Sequence, residues 1–471
     1  MKKVVLALLT IVVALSAVEW EVEQVPDDNQ FYRVNPKLAL DEQGNPYILF
    51  VERMEGVEQG SLKVTTKESG EWVERLVSPV TYGFFEEEIE GHLSYCSFAV
   101  DENGNFYVAF TDFNELFSDT MNLYVVTDTS GTFEVNQLTD DGNYQLWPVI
   151  ALGESKPTLA YTESDYDEEL AIVKYGSITN SGNLLSEVID TAIIWGLDFI
   201  RWGQYSLPYA FFSDDSAYIC RSTPCPDGWA TETLSDTFGV LPSACVDTSG
   251  RTHVAFRTGE SLEEIFYLTD IGSNVWEEEY VAQGCKMEAG LFSPCVAADY
   301  EDTPHIAWVV EIGGSLDIHY AAKTDEGWME EAVTSDPDND EWPGSGRFFT
   351  IDAQGYGHLV YSAWDDVEDA AHIFYLKSKH PLCINESPPQ RTPLGLEVIE
   401  EAVRFSLPQA GPIRLDLYDA TGRRVCCIAS GVYESGEHSV PINQAELSAG
   451  VYFVRMEAGG HSACAKFVVT H

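Results

Sequence analysis

Apolar residues recur at every second position in short runs along most of the chain, and Gly, Asp, Asn and Pro separate the runs. The pattern is strongest in NPKLALDEQGNPYILFVE (35–52): an apolar strand, an Asp-x-x-Gly-like turn, and a second strand with alternating aromatics. It returns at 97–112, 241–258, 293–310 and 348–363, with degraded copies at 149–163 and 200–214. A third strand such as LYVVT or IFYLT follows most copies. A fourth then opens on an aromatic and alternates with acids, as at Trp72, Trp229, Trp276 and Trp328. Period-two alternation bounded by turn residues predicts antiparallel sheet and not helix.

Seven copies of a four-stranded unit, about 45–60 residues apart, predict an all-β chain built as a seven-bladed β-propeller over residues 18–380. The seventh copy has its third strand, HIFYLKS (372–378), but no fourth. Trp20-Glu-Val-Glu-Gln-Val25 fits the fourth-strand pattern. The N-terminal strand is therefore expected to complete the last blade and close the ring, removing edges open to aggregation. The column Phe50, Phe110, Tyr161, Phe212, Phe256, Trp308 and Tyr361 is expected to be core between blades.

The two ends add an address. Met1-Lys2-Lys3 precedes an apolar run from Val4 to Leu15 and the small pair Ser16-Ala17. Residues 1–17 fit a signal peptide, with the mature chain starting near Val18, and no other stretch is long and apolar enough for a membrane span. Residues 381–393 form a Pro-rich linker, and 394–471 are expected to form a small β-sandwich. Within it, the run from Ile413 to Val425 (IRLDLYDATGRRV), Ser435-Gly-Glu-His-Ser439 and Leu447-Ser-Ala-Gly-Val-Tyr-Phe453 follow one another. This region resembles a type IX secretion carboxy-terminal sorting domain, and also the Ig-like domain of flagellar hook-capping proteins. The resemblance implies an Ig-like fold, recognition by secretion machinery, and a place on the cell surface or outside a diderm bacterium. The repeats resemble bacterial extracellular propellers, loosely the sialidase-like ones, but the Ser-x-Asp-x-Gly-x-x-Trp box is absent.

Charge narrows the partners. Asp and Glu number 77 against 26 Lys and Arg, a net charge of −51. That repels phosphate backbones and anionic membrane surfaces, and excludes nucleic acid as a partner. The apolar fraction of 45% is ample for a packed core.

Candidate chemistry lies on one face. The turns between strands one and two are short. The loops joining strands two and three, and one blade to the next, are longer, acidic and aromatic: 78–95, 162–170, 334–346 and 362–372. Long loops on a rigid scaffold are where function is expected. Trp147, Trp342, Trp364, Asp365, Arg347 and Arg33 are the candidate ligand-binding residues. Trp faces stack on sugars or cations, carboxylates accept hydroxyls, and arginines of this face (Arg33, Arg53, Arg257, Arg347) suit a carboxylate-bearing sugar. Asp336, Asp338 and Asp340 alternate as in a Ca²⁺ loop. Glu341 and Arg347 stand where an EF-hand wants Gly and a bidentate acid, which leaves only a looser calcium cage.

His253, His305 and His358 share one column of the repeat. Equivalent strands of neighbouring blades lie on the order of 10 Å apart, too far for three ligands each about 2 Å from one zinc ion. A structural role is expected. Of the ten cysteines, Cys220 and Cys225 suggest a local disulfide, with free buried thiols as the alternative. Cys426 or Cys427 with Cys464 is a second candidate pair.

Three functions follow. The first is an exported surface or secreted module binding a glycan, peptide or surface component. The second is an extracellular glycoside hydrolase or polysaccharide lyase using paired carboxylates. The third is a structural envelope protein.

Overall fold

The computed structural model describes residues 18–382 and 396–469, apart from intervening loop segments of which the longest is 82–95. Residues 1–17, expected from sequence to be a signal peptide, lie outside the described residues. So does most of the linker.

The architecture is all-β and propeller-like. Seven antiparallel four-stranded units are built in chain order. The first unit comprises Tyr32–Leu40, Pro46–Arg53, Gln59–Glu68 and Glu71–Thr81. The second begins at Cys96–Val100, the third at Tyr144–Leu152, the fourth at Leu197–Arg201, the fifth at Val240–Val246 and the sixth at Cys295–Ala298. The seventh takes three strands from Phe349–Ile351, Gly357–Asp365 and Ala370–Ser378, and its outer strand is Trp20–Gln24, antiparallel to Ala370–Ser378 with Trp20 opposite Ser378. Units four, five and six are separate sheets. A single parallel pair joins units two and three (Tyr144 with Met121), and another joins seven and one (Tyr32 with Ala371). No sheet closes on itself among the described residues.

The repeat explains the local structure. In unit one, Asp41 accepts from the backbone N–H of Gln43 and Asn45 at 2.9 and 2.8 Å, an Asx turn that fixes the hairpin. Asp299 and Asp352 do the same in units six and seven, and in unit five Asp247 accepts from the backbone N–H of Arg251 and the hydroxyl of Ser249. The predicted aromatic column is buried throughout, from Phe50, Phe212 and Phe256 at 0% exposure to Tyr361 at 7%.

A buried chain of polar groups ties each of the last three units to the next. Asp247 meets His253 Nε2 at 3.1 Å, and His253 Nδ1 meets Tyr267 OH at 2.5 Å. Asp352, His358 and Tyr375 repeat this at 3.1 and 2.6 Å, and Asp299, His305 and Tyr320 at 3.3 and 2.5 Å. Each tyrosine then packs edge-on against an outer-strand tryptophan of the following unit. Tyr267 meets Trp328 at 5.0 Å, Tyr320 meets Trp20 at 6.1 Å, and Tyr375 meets Trp72 of unit one at 5.5 Å. The three histidines are thus structural, each spent on its own unit.

These groups make stability pH-dependent. Burial pulls His358 below its ordinary value of 6.5, outweighing the hydrogen bond to Asp352. Burial raises Asp247, Asp299 and Asp352, but hydrogen bonds, first those from their histidines, outweigh it and hold all three below 3.8. In each case the unfolded chain binds protons more readily, so stability is greatest at higher pH and falls on acidification. The melting temperature should be level above about pH 7, decline first below about 6.5 through His358, and decline again below about 4 through the aspartates. A melting series in buffers from pH 3 to 8 checks this, and His358→Gln should remove the first step.

Residues 396–469 form two sheets. One joins Leu396–Ile399, Ala402–Leu407 and Gly436–Pro441, and the other Arg424–Tyr433, Gly411–Asp419, Gly450–Ala458 and His461–Val469. They share a core of Val403, Phe405, Leu415, Leu417, Val454 and Met456. No helix among the described residues is long and apolar enough to cross a membrane.

The disulfide expected between Cys220 and Cys225 is absent, and both are free thiols. Arg-Ser-Thr-Pro is not a turn: it continues the strand Tyr218–Cys225, and the hairpin comes after it. Five residues of strand separate the two by about 16 Å, beyond the ~7 Å limit for a bridge. The side chains of Cys427 and Cys464 lie outside the described residues.

Candidate functional site

The first strands of consecutive units touch one another, from unit one through unit seven, and unit seven's touches unit one's. Hydrogen bonds stitch several of these contacts. Ser97 Oγ accepts from Ile150 N at 3.1 Å, and Ser243 Oγ from Val296 N at 3.3 Å. Asp198 Oδ2 accepts from Ala244 N at 2.7 Å, and Arg347 O from Leu38 N at 2.8 Å. Gly344 lies so close to the Asn35–Pro36 backbone that a Cβ would meet it at 2.7–2.9 Å.

Between these strands is a cavity of about 50 Å³ to which every unit contributes, through Lys37, Ser97, Trp147, Asp198, Ser243, Ser293 and Arg347 in chain order. That volume holds a few waters or the end group of a ligand. A bulge recurs on its wall. Asn35, Trp147 and Leu241 have φ of 55°, 50° and 55°, each is followed by Pro, and each marks a register shift against the second strand. Left-handed backbone at non-glycine residues before proline is costly, and it turns the chain where the wall is made.

The cavity is locally cationic in a strongly acidic protein. Lys37 is buried, and burial pulls its ammonium below the usual lysine value, with Cys96 and Cys295 opposing the shift. Arg347 is half exposed, with Nη2 3.6 Å from Asp198 Oδ1. Asp198 is otherwise held by the N–H of Phe199 and Ala244. Burial raises the thiols of Cys96 and Cys295, which keeps them protonated and inert.

Of the residues singled out from sequence, the structure brings Trp147 and Arg347 together here. The others lie elsewhere. Arg33 is buried in an ion network with Glu52 at 2.8 Å and Glu74 at 2.7 Å, to which Lys63 also belongs. It also donates to Pro26 O and lies over Phe50. Arg257 donates to the carbonyls of Leu262, Cys285 and Phe292, and Arg53 stacks on Tyr32. The expected arginine cluster is therefore not formed, because three of its four members are taken by internal contacts. Trp364 stacks on Tyr32 at 5.1 Å, and Trp342 packs beside Cys285, Phe292, Val309 and Leu316. Asp365 ends the strand Gly357–Asp365, its side chain outside the described residues. Asp336, Asp338 and Asp340 also lie outside them. No group of three or more metal-ligating side chains occurs among the described residues.

Sequence reasoning missed Lys37, Ser97, Asp198, Ser243 and Ser293. The signal available was the repeated dipeptide before proline: Asn35-Pro36, Trp147-Pro148 and Leu241-Pro242 occupy comparable places in alternate repeats.

Residues 400–470 match the model of the secretion system C-terminal sorting domain. No curated protein matches the chain. Among solved structures it is similar to a protein of unknown function from Dyadobacter fermentans, with 10% identity, a TM-score of 0.43, and coverage of 76% of this chain and 97% of that one. It is also similar to PorZ, described as a bacterial surface component of the type IX secretion system of Porphyromonas gingivalis. The values there are 11% identity, a TM-score of 0.36, and coverage of 93% of this chain and 70% of that one. The fucose-specific lectin of Aleuria aurantia gives 9% identity, a TM-score of 0.40, and coverage of 65% and 99%.

Proposed function

We propose that the chain is an exported binding module: a seven-bladed β-propeller over residues 18–380, closed by its N-terminal strand, that takes the end of a ligand into its central cavity. Residues 1–17 would be the signal peptide, and 394–471 the domain read by the secretion machinery. The sorting-domain match at 400–470 marks the chain for export to the cell surface or beyond. Closure is supported by the Trp20–Tyr320 and Trp72–Tyr375 packing, which repeats across units six, seven and one the contact made between units five and six.

The observation that carries the binding reading is the convergence of all seven units on one cavity with Lys37, Arg347 and Trp147 in its wall. Lys37 and Arg347 outnumber the one lining carboxylate, Asp198, which favours an acidic group, and a net charge of −51 disfavours a polyanion. The ligand is then a glycan or peptide with one acidic end and an otherwise neutral body. A hydrolase that cleaves with two carboxylates is less well supported, because Asp198 is the one carboxylate among the described lining residues.

The test is a panel of neutral, singly acidic and polyanionic oligosaccharides and peptides, incubated with the mature full chain and with Arg347→Ala. Mass spectrometry reads retained ligand and new products. Retention of a singly acidic ligand is expected, reduced about tenfold or more in the variant, as for loss of a charged hydrogen bond. Shortened or unsaturated products would instead make the chain an enzyme. Equal retention by the variant would remove the cavity as the site.

A further inference from the structure

Val18 is the residue near which the sequence places the start of the mature chain. Its backbone nitrogen lies 3.0 and 2.9 Å from the two carboxylate oxygens of Glu331. A peptide amide has one hydrogen to share between two such acceptors, whereas an α-ammonium has three donors. Glu331 stands on the outer strand of unit six, Gly327–Ala332, opposite Tyr320, the ring on which Trp20 packs. Val18 itself packs against the core that holds Tyr320 and Tyr375. Among the described residues, no lysine or arginine bridges to Glu331. Burial raises its carboxyl above the ordinary value, and the hydrogen bond from Val18 opposes that rise.

We infer that Glu331 is the docking site for the α-ammonium of the processed chain, created by cleavage between Ala17 and Val18. Hydrolysis by a leader-removing peptidase consumes one water. The Ala17–Val18 amide bond breaks, hydroxide joins the Ala17 carbonyl carbon, and the Val18 nitrogen leaves as an amine that is protonated at neutral pH. The new cation meets a carboxylate already within hydrogen-bond distance on both oxygens. The ion pair pins Trp20–Gln24 as the outer strand of unit seven. Before cleavage the same nitrogen is a neutral amide, so the closing strand is held less firmly in the precursor than in the processed protein. The inference rests on the export reading above, and its test separates the two.

Intact mass and N-terminal sequencing of the exported protein should give Val18 as the first residue. Full-length chains starting at Val18 and at Ala17, each with Glu331 and with Glu331→Gln, are then compared by hydrogen exchange of the Trp20–Gln24 amides. The Ala17 start should lose about tenfold or more of the protection, the scale of a charged hydrogen bond expressed as local opening. In Glu331→Gln the two starts should exchange alike. Acetylating the Val18 amine gives the same comparison without altering Glu331, and should reproduce the loss. An exported chain beginning elsewhere, or equal protection for both starts with Glu331 intact, would overturn the inference while leaving export standing. A secreted chain that keeps its leader would overturn the export reading itself.

Discussion

A chain that begins at Pro26, lacking Val18–Val25, should lose cooperative folding of the seven-unit region and aggregate. The segment contributes the outer strand of unit seven, paired with Ala370–Ser378 from Trp20 to Gln24. Its removal takes Trp20 off Tyr320 and Val25, 1% exposed, out of the core, along with the bond from Val25 N to Ile373 O. Truncating a fully buried Trp costs about 3–5 kcal/mol, of which the partly buried Trp20 should contribute a share, and removing a buried Val costs about 1.5–3 kcal/mol. Added together, these approach the roughly 5–15 kcal/mol that stabilises a folded domain. The deletion also leaves Ala370–Ser378 as an open edge, a template for pairing with another chain. Calorimetric melting and size-exclusion chromatography check the result. A sharp transition at the wild-type temperature, with a monomeric profile, would mean that the strand is an accessory.

A chain ending at Leu382 should fold as the full chain does over its seven units and yet fail to reach the cell surface. Residues 396–469 build their own two sheets, and their core cluster draws only on residues of that segment, so truncation opens no cavity in the units. What it removes is the match to the secretion sorting domain at 400–470. Fractionation of cells expressing both forms should place the full chain at the surface or in the medium, and the shortened form inside the outer membrane. The melting temperature of the seven-unit region should be unchanged within a degree or two. Equal surface amounts would show that residues 400–470 are not the export signal here.

Much of the fold was legible because it is set by local chemistry. Asp41, Asp247, Asp299 and Asp352 announce their hairpins, since each carboxylate satisfies the backbone N–H four residues on, and all but Asp247 also the one two residues on. Trp20 could be placed in the seventh unit because that unit lacked a fourth strand and Trp20 opened an orphan one. The site was much less legible. Lys37, Asp198 and Arg347 come from units spread over 310 positions of sequence and meet only through the arrangement of first strands. Arg347 could be singled out by its register, but Lys37 and Asp198 carry no mark in their own repeats.

Arg33 misled for the opposite reason. Its register suggested the loop face, but its partners Glu52 and Glu74 lie on two other strands, and that pairing consumes the charge. Cys220 and Cys225 misled because Ser, Thr and Pro suggest a turn, whereas here they continue the strand Tyr218–Cys225, which pairs with Pro208–Ser213 on one side and Gly228–Phe238 on the other. Long acidic loops drew attention to Trp342 and Trp364, yet Trp364 stacks on Tyr32 and Trp342 packs on an apolar cluster.

The binding reading depends on the seven units standing in one closed ring. Single-particle electron microscopy of the mature chain tests that most directly, through class averages viewed down the cavity. The account predicts seven spokes around a narrow hole, with no gap between the unit that holds Trp20 and the unit that holds Trp72. An open arc, or a ring with another number of spokes, would contradict it, and with it the convergence of Lys37, Trp147, Asp198 and Arg347 on a shared site.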